Sequence, residues 1–234
     1  MAEAAQQLDA GPADVARPRR DTFTYRDETV LRDFSLRKHL VQVLGIASVF
    51  LGIGLWLARD AAALAWLMFP VFLLIANVFE WGIHRFLMHR PLQPRILYTN
   101  HALVHHRAFE GALMEIREVR ELSLVMMPWY TLIFVFVLAS PVAITAAIIA
   151  GPAMAGVFLV AAVTYFLLYE IIHTLHHLTP ATLARIPLGS SGMVAALRRH
   201  HHHHHQHEHM AKVNFNVTFP LADAVLGTYE ATPR

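Results

Sequence analysis

Seventeen histidines stand in a chain of 234 residues that contains no cysteine. A neutral imidazole is a ready ligand for borderline transition metals, and without thiolates any metal here must be held by nitrogen and oxygen. The histidines fall into four boxes. His84 and His89 lie in WGIHRFLMH, and His101, His105 and His106 in NHALVHH; His173, His176 and His177 lie in YEIIHTLHH, and His200 to His205 form the run in RRHHHHHHQHEH. Residues three or four apart share a helix face, so His101 with His105 and His173 with His177 are placed to address one centre. His106 is turned by about 100° from His105, which suits a second ion beside the first. His84 and His89 are five apart, a poor fit to one face of a regular helix, and are expected to flank a helix end near Arg90-Pro91. Donors of imidazole alone suit iron, zinc, copper or nickel over magnesium or calcium. The six-histidine run is internal, is followed by Gln206 and Glu208, and leads into varied sequence, so it does not read as an affinity tag. His39, isolated, reads as an amphipathic residue at a wet boundary.

The elements that must position these boxes are membrane spans. The hydrophobic fraction is 56% and the charged fraction 15%, far from the balance of a soluble domain. Leu40 to Leu57, Ala61 to Phe79 and the 48 positions from Leu122 to Tyr169 carry no charge. A span needs about 20 apolar residues, so the last stretch holds two, divided at Gly151-Pro152. The expected spans are 39–58, 61–83, 124–148 and 153–172. They form an all-α membrane fold of two helical hairpins, with cytoplasmic histidine-rich segments at 84–121 and 173–228. Arginines crowd the flanks before span 1, after span 2 and after span 4, whereas the two short turns carry only Arg59. The positive-inside rule then puts both termini and the histidine boxes in the cytoplasm.

Other features bound what the chain can be. A net charge of +2 is explained by topology and implies no nucleic-acid partner. Residues 1–35 are expected to be a flexible tail, since the first 20 or so lack an apolar run and do not read as a signal peptide. Arginine outnumbers lysine 17 to 2, which with abundant alanine suggests a GC-rich bacterial genome and a bacterial cytoplasmic membrane.

From about Phe79 to Thr228 the chain resembles the fatty acid hydroxylase superfamily. The resemblance rests on the order HRFLMH, HALVHH, HTLHH and HHHHHH, and on the closing segment NFNVTFPLADAVLGT. It implies a membrane-bound di-iron oxygenase that hydroxylates or desaturates a fatty acyl, sterol-like or carotenoid lipid, using O2 and external electrons. The implied ligands are His84, His89, His101, His105, His106, His173, His177, His201, His204 and His205. His176 is a weaker member, and His200, His202 and His203 are alternatives within the run. His207, His209 and Ala222 depart from the family pattern. Zinc is expected to be able to replace iron in a purified sample. The length leaves no room for a fused cytochrome domain, so electrons are expected from a separate reductase or a ferredoxin or cytochrome carrier. Glu80, Glu170, Asn100 and Glu208 are candidates to orient the imidazoles, on proximity in sequence. The competing reading is a metal transporter or metal-buffering membrane protein. It would need polar ligands deep in the spans, where only Asn77, Thr131, Thr145 and Thr164 stand.

Overall fold

The computed structural model describes residues 22–232, and no strand occurs among them. A short helix α1 (Thr22–Thr29) is followed by α2 (Leu36–Leu57), α3 (Met68–Gly82), α4 (Trp129–Ala150), α5 (Pro152–His177) and α6 (Gly192–His204). Four stretches are long and apolar enough to cross a membrane: Leu36–Leu57, Ala63–Met88, Val119–Ala150 and Pro152–His177. The second and fourth run past their expected ends at 83 and 172. His84, His173, His176 and His177 therefore sit on the continuing helices, because no helix breaker precedes Pro91 or Pro180.

Local chemistry explains the helix boundaries. Ser35 caps α2 by accepting from the Lys38 N–H at 3.3 Å. Pro128 precedes the first residue of α4, whereas Pro141 lies inside it without ending it. A proline frees the carbonyl four residues back, and the Ser140 hydroxyl donates to that carbonyl, Val137 O, at 2.7 Å. Gly151, at φ +85°, makes the turn into α5, with Pro152 pre-set at the first helical position.

The fourth span is the hub of the bundle. Within its most apolar window 67% of residues are buried, against 17% in each of the other three. Helices α2, α3, α4 and α6 all pack on α5. Gly156 lets α5 touch α2 backbone to backbone, since a Cβ there would lie 2.5 Å from the Ala58 nitrogen. Above and below that contact, Phe166 and Val163 pack on Val43, Ala47 and Phe136, and Phe158 meets Phe72 edge-on at 5.3 Å between ring centroids.

Of the stretch 1–35 expected to be a flexible tail, residues 1–21 lie outside the described part, and the rest includes α1. Helix α1 docks through Arg26, whose side chain is fully buried. Its guanidinium donates to Ala108 O at 2.6 Å, Glu115 O at 2.8 Å and Leu113 O, and pairs with Glu121 at 3.2 Å, while the Phe109 ring lies 4.4 Å away. Hydropathy cannot reveal such an anchor, because the binding comes from matching a planar five-donor fork to loop carbonyls. Replacing Arg26 by Ala should strand those carbonyls and cost about 3 kcal/mol. Thermal unfolding of the detergent-solubilised variant should show a lower midpoint, and an unchanged midpoint would contradict the anchoring role.

Candidate metal centre

Two groups of buried imidazoles meet where α3, α5 and α6 end. His84, His89, His101, His106 and His204 form the first, and His105, His177, His201 and His205 the second; within each, one nitrogen per ring lies within 4.8 Å of all the others. His173 adjoins the second group, its Nε2 3.2 Å from that of His105. The groups abut: His106 stacks on His205 with centroids 4.0 Å apart. All ten residues named from the family pattern are thus brought together. Within the six-histidine run, His201, His204 and His205 turn inward. His200 instead faces Asp223, His202 bonds His176 O at 3.0 Å, and His203 faces Glu230. His176 is occupied elsewhere, donating from Nε2 to Val217 O at 2.9 Å.

The pairing expected from helical spacing is corrected. His101 and His105 do not serve one group. The chain is π-helical over Ile83–Met88 and Thr99–His105. Hydrogen bonding from i to i+5 widens the turn and brings residues five apart toward one face. His84 with His89, and His101 with His106, therefore share the first group, and His105 is turned into the second.

The electrostatics of these rings decide what they can hold. Nδ1 of His105, His177, His204 and His205 donates to the carbonyls of Leu124 at 2.7 Å, Met114 at 2.8 Å, Val213 at 2.8 Å and Phe109 at 2.7 Å. His84 Nδ1 donates in the same way to Phe215 O. A neutral imidazole has one N–H, so each of these rings presents a bare Nε2 lone pair to the interior. These bare nitrogens stand close to one another and to the Nε2 atoms of neighbouring rings, two in the first group on His84 and His204 and three in the second on His105, His177 and His205. The Nε2 of His84 is 2.7 Å from that of His101, the Nε2 of His89 is 3.1 Å from those of both His84 and His204, and the Nε2 of His201 is 3.3 Å from that of His177. Converging lone pairs repel unless a cation sits among them. Nitrogens about 2.0–2.1 Å from one ion would stand roughly 2.9–3.4 Å from each other, close to the separations here. The residues present therefore fit a metal in each group.

Carboxylates do not orient the rings. Glu80, on α3, accepts from Val217 N at 2.6 Å, Thr218 N at 3.1 Å, Thr218 Oγ1 at 2.6 Å and the Tyr165 hydroxyl, so it pins the closing segment and not an imidazole. Glu170 accepts from Met127 N at 3.3 Å, and Asn100 and Glu208 are exposed. Orientation comes from backbone carbonyls, which no side-chain pattern can signal. Sequence reasoning also missed how the closing segment is fixed. Asp223 accepts from the N–H groups of Phe215 at 2.9 Å and Asn216 at 2.7 Å and from Thr228 Oγ1 at 2.7 Å. Asn77 donates to Phe219 O at 2.8 Å and accepts from Ala222 N at 2.9 Å. The closely spaced Asn214, Asn216 and Asp223 in an otherwise apolar segment were the available signal.

An apolar cavity adjoins the first group. It runs between α3, α4 and α5, and Phe79, Phe136, Ala139, Ala162 and Tyr169 line it up to His84. The depth of the centre has a titration consequence. Burial, reinforced by neighbouring imidazoles, holds His101, His106, His201 and His204 well below the usual histidine value, and burial brings His105 down to about 4. Between about pH 6.5 and 4 the unfolded chain binds more protons than the folded one, so stability is lost as pH falls through that window. Metal-free protein should show an unfolding midpoint that falls from about pH 6.5 downward, as read by a thermal-unfolding pH series in detergent.

A family model described as fatty acid hydroxylase matches residues 69–228. No curated protein matches significantly. Among solved structures, one described as full-length scs7p with only the hydroxylase domain visible is similar, at 23% identity and a TM-score of 0.55. The likeness covers 82% of this chain and 65% of that one, and it speaks to the fold.

Proposed function

We propose that this chain, which belongs to the fatty acid hydroxylase family, is an integral membrane oxidoreductase that hydroxylates a lipid at a pair of histidine-bound iron ions. The observation that carries the reading is the convergence of buried imidazole nitrogens in two adjoining groups, with bare Nε2 lone pairs on His84 and His204 in the first and on His105, His177 and His205 in the second. Bound there, iron would supply what acid and base side chains cannot: with O2, two external electrons and two protons from water, one oxygen atom enters an unactivated C–H bond and the other leaves as water. The protein's own groups do the rest. The carbonyls of Phe215, Leu124, Met114, Val213 and Phe109 fix the ring tautomers. The closing segment, held by Glu80, Asn77 and Asp223, lays the Phe215 ring against His84, His89 and His204 of the first group. The cavity between α3 and α4 has apolar walls and ends at His84, which supports a hydrocarbon chain entering with the carbon to be oxidised at its inner end.

The arginine-rich flanks support a cytoplasmic location for the centre and both termini. Electrons would then come from a soluble or membrane-associated carrier on that side. Of the polar groups that transport would need in the spans, Asn77 is engaged by the closing segment and Thr164 donates to Val160 O on its own helix at 2.8 Å.

The test is lipid analysis of cells with and without the protein, together with metal analysis of protein purified without metal-affinity resin. Iron and an oxygenated lipid should appear with the wild-type chain. His201→Ala and His204→Ala, one ligand from each group, should each reduce that product by roughly 100-fold or more. Full product from both variants in well-folded protein would remove the proposal. Ala162→Phe, which narrows the cavity, should shift the product toward shorter chains in the same lipid profile while leaving the metal content unchanged.

A further inference from the structure

A third constellation lies at the surface, apart from the two buried groups. The Nε2 of His203 is 3.0 Å, and that of His209 3.9 Å, from Oε1 of Glu230, and the two imidazole centroids are 4.1 Å apart. One donor atom from each residue lies within 4.8 Å of the other two. Three stretches of chain supply them: the last turn of α6, the turn after it, and the segment beyond Thr228. Each is fixed independently of the cluster. The His209 N–H donates to Gln206 O at 2.8 Å, and Glu230 exchanges hydrogen bonds of 2.8 and 3.1 Å with the fully buried Asn214. Nδ1 of His209 is buried without a partner. Side-chain exposure is 11% for His203, 24% for His209 and 48% for Glu230, so the three converge in a shallow, solvent-reachable notch.

We propose that His203, His209 and Glu230 bind one first-row divalent cation of the zinc class, making a third metal site separate from the buried pair. A divalent cation among the three would satisfy two imidazole lone pairs and the carboxylate together. Three protein ligands leave a position for water, so the ion would exchange far more readily than one enclosed by four or five buried rings. Its binding would tie residue 230 to the end of the helix that carries His201 and His204.

The probe is Zn2+ itself, titrated into the protein as purified, with bound metal counted after equilibrium dialysis. The result is read as a difference between wild type and variants, so it holds whatever the buried groups contain. Wild type should take up one more Zn2+ than His203→Ala/His209→Ala, while the tightly held metal of the two proteins stays equal. Glu230→Gln should weaken that uptake by roughly tenfold or more. If the double variant fails to fold, shown by loss of its tightly held metal, Glu230→Gln alone decides, and an unchanged affinity there overturns the site. Equal uptake by wild type and a folded double variant also overturns it, as does the absence of additional Zn2+ in wild type.

Discussion

A buried imidazole has two nitrogens and, when neutral, only one hydrogen. Five rings of this site spend that hydrogen on a main-chain carbonyl, which leaves the second nitrogen bare and fixes its direction. Packing several such rings together is unfavourable unless something positive joins them. The bundle around them reads as the means of holding that arrangement. Helix α5 supplies a rigid buried axis, α3 and α6 bring rings from either side, and the segments that provide the carbonyls are themselves tied down.

Those ties run a long way from the centre. Arg26, on a helix that precedes every span, binds the carbonyls of Ala108, Leu113 and Glu115. Between and beside them, Phe109 and Met114 give their carbonyls to His205 and His177. The placement of two rings in the second group thus depends on a guanidinium remote in sequence. Glu80 has the matching role for the first group. It holds Val217 and Thr218, so that Phe215 and Val213 stand where His84 and His204 need them.

The spans were legible because a membrane imposes a simple rule, about 20 apolar residues per crossing, and the charge-free runs obey it. Their ends were less so, since a helix whose polar face is covered by protein need not stop where hydropathy falls; His173 and His177 continue α5 for this reason. The ten imidazoles could be named from the order of the boxes, but their division into two groups could not. That division depends on π-helical turns at Ile83–Met88 and Thr99–His105, which regroup residues five apart and separate His101 from His105. The orienting partners were misassigned to carboxylates because side chains are all that a sequence displays, and the groups that orient the rings belong to the backbone.

The segment from Val213 to Thr228 lies close to the end of the chain, yet it provides carbonyls to His84 and His204 and closes over both. A polypeptide is made and inserted from its amino end, so all four crossings are in the bilayer before this stretch leaves the ribosome. Until then His84 and His204 lack the carbonyls that orient them. The centre is therefore completed only after the spans, and a chain that stopped before Val213 would be a finished bundle without a finished site. Order of synthesis thus couples completion of the imidazole centre to prior completion of the bundle that holds it.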